Sequence, residues 1–84
     1  MDFTYYVRLE YPEFPEPENP AGIYRHPKND IYGMEAFTKN LKWEKAPGTL
    51  RKFVEGDTMT YKEVSEETAK KAVKNTTKKL KESV

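Results

Sequence analysis

The stretch FTYYVRLEY, Phe3 to Tyr11, decides the fold. Phe3, Tyr5, Val7, Leu9 and Tyr11 fall on one side of a period of two, with Thr4, Tyr6, Arg8 and Glu10 on the other. Side chains of an extended chain point alternately to opposite faces, so this pattern of aromatic and β-branched residues marks a strand with one buried face. The strand is expected over residues 3–11.

The residues that follow are turn-formers. YPEFPEPENPAG, Tyr11 to Gly22, holds four prolines and three glutamates. Proline has no amide hydrogen, so Pro12 ends the strand, and residues 12–21 read as a Pro/Glu-rich loop. Asn-Pro-Ala-Gly is a turn signal, and GIYRH, residues 22–26, reads as the returning strand. In GMEAFTKNLKWEK, Met34, Phe37 and Leu41 recur at helical spacing, whereas LKWEK alternates. A helical turn or irregular segment is expected through Phe37, then a strand over 41–44 with Leu41 and Trp43 on one face.

Pro47 suits a first helical turn, Leu50, Phe53 and Val54 fall at i, i+3 and i+4, and Gly56 stands where a left-handed cap would sit. A short helix is expected over 47–55. MTYKEV reads as a last strand, 59–64, leading into Ser65 as N-cap with Glu66 and Glu67 at the positive helix end. A Lys-rich C-terminal helix is expected over 66–82. Ala69, Ala72, Val73, Thr76, Leu80 and Val84 form its weakly apolar stripe. The fold class is α+β: one small domain, three to four mostly antiparallel strands, with a short helix and the C-terminal helix packed on one face.

The chain has 84 residues, 36% hydrophobic and 35% charged, so it builds one thin core in which the aromatics, 13% of the chain, carry much of the burial. The net charge of +1 argues against strong sequence-independent attraction to nucleic acid. The charge is uneven, however: residues 1–20 carry five acids against Arg8, and residues 65–84 carry six lysines against three glutamates. With no cysteine and one histidine, disulfides, thiolate sites and a structural zinc are not expected, nor is any cofactor. No window approaches membrane-spanning length and no basic-then-apolar leader opens the chain, so a cytoplasmic location is expected.

The ordered set YYVR, NPAGIYR, EAFTKNLKWE, a Gly-Asp before a last strand, and VSEETA resembles a group of small bacterial proteins with no established activity. The resemblance implies a bacterial source and an intact small domain, and transfers no function.

No catalytic residue is expected. His26 would need a serine to activate, but Ser65 is a helix cap and Ser83 lies at the helix end; a polar strand-end residue is the simpler reading of His26. Glu13, Glu16 and Glu18 lack calcium-loop spacing, and the four isolated glycines make no phosphate loop. The expected function is therefore a non-enzymatic protein-binding or regulatory module. Phe14, Tyr24 and Trp43 would be its aromatic anchors, with Arg8 and Glu10 setting orientation. The partner would be another protein or a second copy of the chain, a homodimer formed through a sheet edge. The alternative is a weak nucleic-acid binder. Lys70, Lys74 and Lys78 at i, i+4 and i+8, flanked by Lys71 and Lys81, would meet phosphates. Tyr6, Arg8 and His26 would offer a stacking face on the sheet. The Pro/Glu loop matches P-x-x-P twice but lacks a basic residue, which leaves Phe14 as its one site-like feature.

Overall fold

A computed structural model describes residues 2–54 and 61–82 of the chain. Strand β1 (Phe3–Arg8) leads through the proline loop to β2 (Gly22–Pro27). A 3-10 turn (Ile31–Gly33) precedes β3 (Glu35–Phe37), and β4 (Trp43–Lys45) precedes helix α1 (Pro47–Val54). Strand β5 (Tyr61–Val64) enters helix α2 (Glu66–Glu82) through Ser65. The strands form one antiparallel sheet in the order β4-β3-β2-β1-β5, so the FTYYVR segment lies between two neighbours. The molecule is an α+β domain of one sheet with a short helix and a C-terminal helix.

The period of two in β1 sorts the sheet into two faces. Val7 sits opposite Ile23 and Tyr5 opposite Arg25 and Val64, which places these residues on one face. Val7, Leu9 and Ile23 bury there against Ala72 of α2, with Phe37, Trp43, Val64 and Val73 packed round them. Val7 is 0% and Ile23 2% exposed. Burial of each such side chain stabilises the fold by roughly 1.5–3 kcal/mol. Ala69 and Ala72 are also buried, and their small side chains let α2 lie close over β1 and β2. The Ser65 hydroxyl accepts from the Thr68 amide at 3.2 Å, the N-cap expected there.

Several local expectations are corrected. The strand expected over 3–11 stops at Arg8, because the chain turns: Glu10 and Phe14 exchange backbone hydrogen bonds of 2.9 and 2.6 Å around a cis Tyr11–Pro12 peptide. The returning strand runs one residue further, to Pro27. Residues 35–37 form β3 instead of a helical turn, giving five strands among the described residues instead of three or four. Pairing with β2, Ala36 opposite Tyr24 and Glu35 opposite Arg25, overrides the helical spacing. Leu41 does not join β4. It sits at φ 60° in the turn closed by Thr38 and Lys42, so the strand expected over 41–44 begins at Trp43. The expectations for residue 55, Gly56, residues 59–60, Ser83 and Val84, and for the side chains of Phe53 and Val54, lie outside the described residues.

Candidate functional site

Helix α2 lies over β1 and β2, on one side of the sheet's midline. The same face of β3 and β4 continues beyond it, carrying Glu35, Phe37, Trp43 and Lys45. Where the helix ends and the sheet continues there is a groove of about 200 Å³, lined by Tyr5, Arg25, Trp43, Ala69, Lys70 and Val73.

Arg25 organises this groove. Its guanidinium carbon stands 4.2 Å from the centroid of Phe3 and 4.3 Å from that of Trp43. Its Nε donates to Glu35 Oε1 at 2.9 Å, and each side chain of that pair is 22% exposed. Trp43 is set edge-on against Phe37 at 5.5 Å and tilted against Tyr5 at 6.3 Å, and Tyr5 is tilted against Phe3 at 6.2 Å. A charged group is thus placed among four rings on the core-facing side, where aliphatic residues would ordinarily lie. The rings replace part of the hydration that partial burial removes.

On the opposite face, Tyr6 pairs with Tyr24, Thr4 with His26 and Arg8 with Gly22. Tyr6, Arg8, Tyr24 and His26 therefore share one face. Two of them are not displayed. Tyr24 is 9% and His26 7% exposed. The Tyr24 ring lies back along its strand over Gly22, its hydroxyl accepts from Arg8 Nε at 3.3 Å, and its ring meets Tyr61 edge-on at 5.4 Å. His26 stacks on Tyr6 at 5.6 Å, with Nε2 3.4 Å from the Tyr6 hydroxyl and Nδ1 2.8 Å from the Pro27 carbonyl. A carbonyl only accepts, so Nδ1 carries the proton. Burial, and then the charge of Glu63, push the Tyr6 hydroxyl above the ordinary tyrosine range. On the neighbouring turn, hydrogen bonds from Thr38 and then Asn40 hold the Glu44 carboxyl below its ordinary range.

The aromatic anchors expected from sequence are not brought together. Phe14 is half-buried beside α2, where the Lys79 ammonium stands 5.9 Å from its ring, and Asn75 Nδ2 donates to the Glu18 carbonyl at 2.9 Å. The proline loop is thereby fastened along the helix. Tyr24 lies buried on the other sheet face, and Trp43 is half-buried in the groove wall. Arg8 pairs with Glu10 beside the loop. Lys70, Lys71, Lys74, Lys78 and Lys81 are all exposed. At 100° per residue they fall within an arc of about 100°, opposite the buried Ala69 and Ala72. Only Lys70 among these five has a described ion pair, 3.8 Å to Glu66.

Arg25, Phe3 and Tyr5 were missed as a group. The available signal was phase: in GIYRH, Arg25 shares its face with Ile23, so an arginine occupies a core-facing position. Tyr32 and Tyr11 were also passed over, and at 78% and 76% exposure they are the most exposed large apolar residues described.

Fold and groove together define a small α+β domain with a cation-rimmed, side-chain-sized cleft beside its one long helix. Comparison with protein-family models, curated proteins and solved structures finds no match. No helix among the described residues is long and apolar enough to cross a membrane. Nor could any group of three or more His, Asp or Glu side chains among them hold a metal ion.

Proposed function

We propose that the chain is a non-enzymatic protein-binding module of the cytoplasm, and that its partner docks on the strip of sheet that α2 leaves uncovered. The observation that carries this reading is the Phe3–Arg25–Trp43 stack, held half-buried at the edge of a groove on that strip. Aromatic residues and arginine dominate contact energies at interfaces, and here their orientations are fixed before any partner arrives. The only histidine is buried, with both ring nitrogens engaged, which favours a binding role over proton transfer.

The reading is tested by placing a photo-crosslinking residue at Lys45, on the uncovered strip, and in a second protein at Glu63, on the opposite face. Lys45 is expected to capture a discrete partner that Glu63 does not. Equal capture at both positions, or none at Lys45, refutes it.

The exposed lysine arc favours a second reading, a weak nucleic-acid binder. Each phosphate contact would add about 0.7–0.9 to the slope of log affinity against log salt. Filter binding at two salt concentrations, with wild type and with Lys70, Lys74 and Lys78 replaced by glutamine, decides it. Binding that ignores salt or the substitutions removes this reading.

A further inference from the structure

We propose that Arg25 is the recognition residue of a carboxylate site, and that the groove between α2 and the sheet takes an extended peptide bearing an aspartate or glutamate beside an apolar residue. This rests on the binding-module reading and names the chemistry of the partner at that site.

The argument begins with the unused donors of Arg25. A guanidinium carries five N–H groups, of which Nε–H goes to Glu35. Among the described residues no acceptor lies against the two Nη nitrogens, which leaves the planar fork that matches a carboxylate. The rings of Phe3 and Trp43 hold that fork, so little further freedom is lost when it binds. Glu35 fixes its orientation from the Nε side.

The groove's charge and size set the ligand. Its lining carries Arg25, which spends only Nε–H on Glu35, and Lys70, which stands 3.8 Å from Glu66 in an exposed pair, with Trp43, Ala69 and Val73 as apolar walls. An anion next to an apolar group complements it. The volume of about 200 Å³ falls below the roughly 300–1,000 Å³ of sites that enclose a small molecule. It suits one or two side chains of a longer segment that continues over the uncovered β3–β4 strip. A peptide meets that geometry.

The probes are acetyl-Leu-Glu-Leu-amide and its glutamine counterpart, titrated into ¹⁵N-labelled protein. The readouts are the Arg25 Nε–H, Trp43 indole, Ala69 and Val73 resonances; the chain has one tryptophan, so the indole signal is unambiguous. The glutamate peptide is expected to shift these four saturably, and the glutamine peptide to bind about tenfold more weakly, the discrimination a charge-assisted pair supplies. R25K, which keeps the charge but loses the fork, is expected to abolish that discrimination. K70Q removes one groove cation together with its 3.8 Å pair to Glu66, at an exposed helix position, and is expected to weaken the glutamate peptide severalfold.

Equal affinity for the two peptides overturns the proposal, as do shifts spread over the lysine arc instead of the groove. Should R25K fail to fold, K70Q decides: an affinity for the glutamate peptide unchanged from wild type overturns the site. Failure here with specific capture at Lys45 removes the carboxylate site and leaves the binding module standing. Arg25-dependent peptide binding without capture at Lys45 keeps the site and removes the protein partner.

Discussion

Replacing Arg25 by methionine tests whether the stack holds the sheet together. The substitution removes two ring contacts, each contributing about 0.5–1 kcal/mol at a partly exposed position. It also breaks the Glu35 pair, in which both side chains are 22% exposed; a pair so placed contributes about 1 kcal/mol. Methionine regains part of the packing against Phe3 and Trp43, which offsets about 0.5–1 kcal/mol. The net expectation is a loss of about 2 kcal/mol, or a fall in Tm of about 8–16 °C for a domain of this size. E35Q keeps the ring contacts and is expected to cost about half as much. Thermal unfolding followed by far-UV circular dichroism, with Trp43 emission as a local probe, measures both. If R25M melts within about 2 °C of wild type, a shift worth well under 1 kcal/mol, the guanidinium is a surface group and the stacking argument fails.

Phe14→Ala is expected to cost about 1 kcal/mol of stability and to speed amide exchange in the proline loop while leaving capture at Lys45 unchanged; loss of capture would restore Phe14 as an anchor. Gly22→Ala places a methyl group 2.5 Å from the Tyr24 hydroxyl. The ring must shift away from Arg8, at about 1–3 kcal/mol in denaturant unfolding. Because the folded state raises the Tyr6 pKa, its contribution is present below the ordinary tyrosine range and is lost as pH rises through the folded value. Glu63→Gln removes the second cause of the shift, so less stability is lost at high pH, and its alkaline unfolding, followed by far-UV circular dichroism, should begin at higher pH than in wild type.

The fold was legible wherever one residue pattern had one physical reading. FTYYVR could only be a half-buried strand, and Ser65-Glu66-Glu67 could only open a helix. Residues 35–37 were not legible, because Met34, Phe37 and Leu41 share helical spacing by coincidence; only pairing with β2, made in three dimensions, settles that segment. The strand boundary at Arg8 was hidden for a related reason. Leu9 keeps the alternation and is buried, so the pattern outlasts the hydrogen-bonded ladder. The site was less legible than the fold. Sequence directs attention to aromatics as single residues, and Phe14, Tyr24 and Trp43 end on three different parts of the domain. What binds them or separates them is strand order: β4 joins β3, which brings Trp43 over Arg25, while the turn at Pro20 and Gly22 sends Tyr24 to the opposite face.

Strand order also bears on self-association. β5 ends the sheet at one side, and a second copy could extend it across a two-fold axis perpendicular to the sheet. That axis keeps each face on its own side, so the partner of a residue must share its face. The two registers overlapping most of Tyr61–Val64 then centre on Lys62 or on Glu63, setting lysine opposite lysine or glutamate opposite glutamate. Like charges directly opposed disfavour an antiparallel pair and are a known means of blunting an edge. At the other end β4 offers three residues, followed shortly by Pro47, which has no amide to donate. Both edges are poor templates. A second copy would be drawn instead to the uncovered strip beside α2, where Arg25 and Lys70 favour an acidic segment, and the proline loop of residues 12–21 is the acidic segment this chain has to offer. Charge reversal at Glu13, Glu16 and Glu18 would abolish such an assembly in exclusion chromatography, and would leave binding of a foreign acidic peptide intact.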